Sequence, residues 1–106
     1  MPYIITNLKY PSHKQTDVVK VYLSIANKYP NDDAIAVQLC APVTLTEEGV
    51  MIMSIYEMKE GQLEKAFKYY TKYLYEFINV EGFEYTVKVW MTFDEALEVG
   101  KIQRPE

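Results

Sequence analysis

The chain predicts one α+β domain built in two layers. Three observations carry that prediction. Apolar strands and two long amphipathic helices alternate in the order strand, helix, strand, strand, helix, strand. The 106-residue length suits a single domain, and a hydrophobic content of 49% supplies one core. No stretch reads as an internal repeat, a low-complexity tract or a linker, so residues 1–106 are taken as one unit.

The first strand spans Tyr3 to about Leu8, and Pro11 and Ser12 break it. Ser12-His13-Lys14-Gln15 fits a capping box, in which an N-cap hydroxyl and a side chain three residues on satisfy each other's backbone N–H groups. A start at Thr16 or Asp17 is an equal alternative. The first helix carries Val18, Tyr22, Ile25 and Tyr29 on one stripe, flanked by Val21 and Ala26. Pro30 disfavours helical geometry at Tyr29, and Asn31-Asp32-Asp33 makes the turn.

The second strand, Ala34 to about Leu39 with a possible extension past Cys40, is almost continuously apolar, which suggests burial on both faces. Pro42 ends it or marks a sheet edge. Thr46-Glu47-Glu48-Gly49 reads as a hairpin loop, and the third strand runs from Val50 to Tyr56 or Met58. Glu60-Gly61 opens the second helix, whose core stripe is Leu63, Ala66, Phe67, Tyr70, Leu74, Phe77 and Ile78. Gly82 marks its exit.

The fourth strand, Phe83 to about Met91, alternates cleanly. Phe83, Tyr85, Val87, Val89 and Met91 point one way, and Glu84, Thr86, Lys88 and Trp90 the other. Thr92-Phe93-Asp94-Glu95 is a second capping box, opening a short helix through Leu97 and Val99. The polar tail, residues 100–106, is expected to fray.

The order β-α-β-β-α-β with a short terminal helix corresponds to a ferredoxin-like topology. Two helices cover only one face of a four-stranded sheet. The other face is expected to carry Lys88 and Trp90, with Gln38, Cys40, Ser54 and Tyr56 in one register, or Leu39, Met53 and Ile55 after a one-residue slip. Either set is too apolar to stay wet, and a twofold dimer packed sheet against sheet would cover it. The element order, the length and the segment Trp90-Met91-Thr92-Phe93-Asp94-Glu95-Ala96-Leu97 resemble the dimeric α+β barrel superfamily. The resemblance covers most of the chain at the level of fold and rests on no diagnostic motif. It implies a homodimer whose two sheets form a barrel, with a possible cavity. Members include cofactor-independent monooxygenases, haem-degrading enzymes, decarboxylases and stress-response proteins, so it implies no single reaction.

Composition narrows the function. A net charge of −4 argues against a nucleic-acid partner. The single cysteine, Cys40, allows no internal disulfide and no cysteine cluster. The N-terminal Met1-Pro2-Tyr3-Ile4-Ile5 lacks the features of a signal peptide, and no segment reaches membrane-spanning length. A soluble cytoplasmic protein with no membrane partner is the expectation. RNA-recognition, ferredoxin, metallochaperone, acylphosphatase and phosphate-loop signatures are all missing from the sequence.

Several side chains carry candidate chemistry. His13, the one histidine, is a candidate catalytic or gating residue, against an ordinary role as an exposed helix-entry side chain. Cys40 could be a nucleophile, but with no basic neighbour it reads as a small apolar residue. Asn7, Gln38, Tyr56, Lys88 and Trp90 form the candidate ligand-binding set. Tyr56 and Trp90 would supply aromatic walls, and the other three would orient a polar group. Some barrel monooxygenases hold a polycyclic phenol with asparagine, tryptophan and tyrosine, and those residue types recur here. Tyr69, Tyr70, Tyr73 and Tyr75 read as core and helix padding rather than a stacking platform, and Met51, Met53 and Met58 as packing rather than copper ligands. No metal and no cofactor are expected.

The start Pro2-Tyr3-Ile4-Ile5-Thr6-Asn7 also resembles the tautomerase superfamily, which uses an N-terminal proline amine as base. Pro2 would need Met1 removed. The only arginine is Arg104, so Lys9 or Lys88 would have to stabilise the enolate. The leading expectation is a homodimer that binds a small organic ligand or serves an assembly role. A cofactor-independent monooxygenase-like enzyme is the alternative, and a Pro2 tautomerase the second.

Overall fold

A computed structural model describes residues 2–103, with side chains described as far as Val99. Arg104, the end of the expected frayed tail and the question of Met1 removal lie outside the described residues. The elements are β1 (Tyr3–Tyr10), α1 (Gln15–Ile25), β2 (Ala36–Cys40), β3 (Val43–Thr46), β4 (Gly49–Met58), α2 (Leu63–Tyr75), β5 (Glu84–Trp90) and α3 (Phe93–Gln103). The sheet is antiparallel in the order β2-β4-β1-β5, with β3 also paired to β4. This is a mixed α+β domain whose strand order is consistent with a ferredoxin-like arrangement. The short β3 is an addition to the expected four strands. It arises because β2 slips register between Gln38 and Cys40 and Pro42 interrupts the ladder, so β2 and β3 pair with successive halves of the ten-residue β4.

The expected hairpin loop closes as read. The Thr46 Oγ1 accepts the Glu48 N–H at 3.1 Å, and Thr46 pairs with Gly49. Gly49 has φ +131°, and a Cβ built there would lie 2.1 Å from the Tyr10 carbonyl oxygen, so only glycine lets the hairpin approach the end of β1.

The two capping boxes fare differently. At α3 the box forms reciprocally: the Thr92 N–H donates to Glu95 Oε1 at 2.8 Å, and the Glu95 N–H to Thr92 Oγ1 at 3.1 Å. At α1 it does not. Ser12–Lys14 forms a 3-10 turn instead, and Gln15 Oε1 accepts the Tyr10 hydroxyl at 2.5 Å. A buried phenol needs a partner more than an exposed helix end does, and it takes the glutamine.

The core lies between the helices and one sheet face, in two clusters. Tyr10, Val18, Ile25, Val50, Phe77 and Val80 form one, and Ile4, Ile35, Ala36, Met58 and Ala66 the other. Between them the buried Thr6 and Ser54 face each other across β1 and β4. In α2 the inward line is Ala66, Tyr70, Leu74 and, just past the helix, Phe77, while Phe67 on its flank and Ile78 beyond its end stay exposed. Tyr22 of α1 is likewise exposed, although it shares the stripe of the buried Val18 and Ile25. Val89 and Met91, expected to face the helices, run past their cover and are exposed.

The radius of gyration is 16.1 Å, above the about 13 Å of a compact chain near this length. Two parts stand off the core. All four residues of β3 are exposed, and so are Phe93 and Leu97 of α3. α3 continues past the expected end at Val99 to Gln103. No helix among the described residues is long and apolar enough to cross a membrane.

Candidate functional site

The sheet has one covered and one open face, and the predicted site residues divide between them. Pairing across β4, β1 and β5 places Asn7 beside Met53 and Thr86 on the open face, with Ile5, Ile55 and Lys88 as the next row and Tyr3, Glu57 and Trp90 beyond it. In the opposite direction the row is Lys9, Met51 and Glu84. Met51, Met53 and Trp90 are exposed there, Trp90 at 51%. Lys9 Nζ is held by Glu48 at 2.6 Å and lies 3.9 Å from Glu84. Those carboxylates raise the lysine pKa, and the lysine in turn holds Glu48 below the usual carboxylate range. Two shallow, mostly apolar hollows flank Asn7, one of about 160 Å³ toward β3 and one of about 250 Å³ toward β5.

Tyr56 and Gln38 are corrections to the expected open-face set. The register that aligns Tyr56 with Ile4 turns it toward the helices, where its ring stacks on Tyr70 at 4.0 Å. Gln38 pairs with Tyr56 and follows it to that side, and Ser54 is buried there too. The asparagine, tryptophan and tyrosine of the monooxygenase resemblance therefore do not converge. Asn7 and Trp90 share the open face about 13 Å apart along the strands, and Tyr56 lies behind the sheet.

Cys40 is exposed beside the register slip. His13 is exposed in the 3-10 turn and lines none of the hollows described. Pro2 accepts the Met58 N–H through its carbonyl at 3.1 Å, which fixes the end of β1, and no arginine stands among the described residues. No group of three or more His, Cys, Asp and Glu side chains capable of holding a metal ion occurs among the described residues.

A further hollow of about 210 Å³ lies on the helix side, at the β2 edge. Its floor is the buried Ile35 and Ala36. Tyr56, Tyr69 and Tyr70 wall it, and Asn31, Asp32, Asp33 and Gln38 rim it. Burial lifts the Tyr70 pKa strongly and that of Tyr56 less, with the neighbouring tyrosines and, at Tyr70, Asp32 and Asp33 adding to the effect. The sequence places Asn31–Asp33 in a turn, Tyr70 in the core stripe of the second helix and Tyr69 toward solvent beside it. The signal that could have joined them is the pair of adjacent tyrosines on α2, of which only Tyr70 fits the core stripe.

No family model, no curated protein and no solved structure matches this chain.

Proposed function

We propose that the chain is a self-associating protein, with a second copy seated on its open sheet face and a small organic ligand held in the hollows around Asn7. The observation that carries this reading is the exposure of Met51, Met53 and Trp90 on one uncovered sheet face. The exposed area of the chain is also large. A compact monomer of 12.4 kDa exposes about 6,100 Å², and this chain exposes 7655 Å². The excess of roughly 1,500 Å² comes in part from β3 and α3, which stand off the core, and a stable interface takes roughly 800 Å² from each partner.

Charge supports a second copy rather than a foreign partner. Along β5 the open face carries Glu84 and Lys88 with Thr86 between them, and Lys88 makes no ion pair among the described residues. A twofold axis near Thr86 would set each Glu84 against the partner's Lys88. Such a dimer is the arrangement of the dimeric α+β barrels. Asn7 and Lys88 would then offer polar anchors, and Trp90 an aromatic wall, to a ligand closed in from both sides.

Sedimentation equilibrium tests the reading on the wild type and on Met53→Glu. Met53 is exposed and belongs to neither core cluster, so the variant keeps its fold by circular dichroism. A wild-type dimer that becomes monomeric in the variant is the expected result. A wild type that stays monomeric at high micromolar concentration, or a variant that dimerises as well as wild type, overturns it.

A further inference from the structure

The hollow behind the sheet has a chemistry that the open face lacks. Every polar side chain on its rim and walls can accept a hydrogen bond, and none of its lining residues is basic. Asp32 and Asp33 make no ion pair among the described residues. One Asp32 oxygen is committed to the Ala34 N–H at 3.0 Å, which leaves its other oxygen and the whole Asp33 carboxylate for a ligand. The Tyr69 hydroxyl is likewise committed, donating to the Pro30 carbonyl at 2.5 Å. That bond ties the α1–β2 connection to α2, so the acidic rim and the aromatic wall are held together rather than meeting by chance. Tyr69 and Tyr70 meet edge to face at 5.5 Å, and Tyr56 backs Tyr70, so the wall is braced from behind.

We infer that this hollow binds a small organic cation of the alkylammonium class, through Asp32, Asp33 and Gln38 at the head group and the tyrosine wall along the chain. The ammonium is a compact donor-only group, and the rim is rich in acceptors. Tyrosine rings beside carboxylates stabilise such a cation by both charge and quadrupole. A hollow of about 210 Å³ admits a short-chain amine or the end of a longer one. An inorganic anion is disfavoured by the two carboxylates. The site is separate from the open face and stands whether or not the chain dimerises, because β1, β4 and β2 lie between the two.

The test is a titration of the full chain with n-butylammonium chloride, followed by amide and tyrosine chemical shifts. n-Butanol serves as the neutral isostere, and sodium chloride at matched ionic strength as the salt control. Saturable shifts confined to residues 31–38 and 69–70, produced by the ammonium and not by butanol or salt, are expected. Asp32→Asn with Asp33→Asn should weaken that binding about tenfold, the effect of two partly exposed charge pairs. Asparagine at position 32 keeps an oxygen to accept the Ala34 N–H, and Asp33→Asn alone serves if the double variant does not fold. Equal saturation by butanol, the absence of saturable shifts with the ammonium, or unchanged binding in the variants would each overturn the assignment.

Discussion

Replacing Gly49 by alanine should be among the most damaging single-methyl additions this chain can take. The residue sits at φ +131°, and the new Cβ would lie 2.1 Å from the Tyr10 carbonyl oxygen, 2.9 Å from its carbon and 3.0 Å from Pro11 Cα. All three are backbone atoms, so no side chain can swing away. A non-glycine residue in such a conformation costs about 1–3 kcal/mol, and forcing the hairpin off the end of β1 costs about 1–3 kcal/mol more. The sum, about 2–6 kcal/mol, is a large share of the about 5–15 kcal/mol that holds an ordinary domain together. Gly61 supplies the control. It too has positive φ, +75°, but a Cβ there would meet nothing within 4 Å. Gly61→Ala should therefore carry the backbone cost alone, about 1–2 kcal/mol. Urea unfolding followed by circular dichroism measures both variants, with the slope checked for constancy. If Gly49→Ala is no more destabilising than Gly61→Ala, the close approach of hairpin to β1 is wrong and so is the register built on it.

Other expectations follow from the same contacts. Leu74→Ala, at a site 2% exposed, should lower stability by about 2–5 kcal/mol in the same urea assay, whereas Ile78→Ala at the exposed turn after α2 should change it by less than about 1 kcal/mol. Thr92→Ala should remove the α3 capping box and cost about 1 kcal/mol locally, seen as faster amide exchange in α3 with little change in the global melt, since Phe93 and Leu97 are not packed. Burial raises the pKa of Tyr73 to about 12 and that of Tyr70 further. Their stabilising effect is present below the unfolded value near 10 and is lost as pH rises through the folded values, so tyrosinate absorbance should appear in two phases, the later one together with unfolding. Glu76 is held below its ordinary value of 4.5 first by its hydrogen bond from Lys28. Its contribution is present above that value and is lost as pH falls below it, and Lys28→Met should flatten this part of the acid melting profile.

What the sequence made legible was local. The Thr92–Glu95 box, the hairpin closed by Gly49 and the inward line of Ala66, Tyr70 and Leu74 each depend on residues a few positions apart, where period and capping chemistry suffice. Strand register was not legible, because β4 is apolar on both parities. Val50, Ile52 and Tyr56 compete with Met51, Met53 and Ile55, and alternation alone chooses neither. The choice is made by partners distant in sequence: Tyr56 finds Tyr70, and Val50 joins Tyr10 and Phe77. That single choice moved Tyr56 and Gln38 behind the sheet and split the expected site. The acidic hollow was invisible for a related reason, since its rim and its wall come from elements distant in sequence.

The position of β1 has a consequence for how the chain is made. Of the five strands, the first to be synthesised is an inner strand of the sheet, bonded to β4 on one side and to β5 on the other. Tyr3 pairs with Glu57 and with Trp90, so β1 waits until β5 has been made before both its edges are filled. Until then a nascent chain displays a bare strand edge with Ile4, Ile5 and Leu8 on it, a template for pairing with a neighbouring copy. Native structure thus arrives late and all at once in translation, and the interval before β5 emerges is when this protein most needs protection from its own kind.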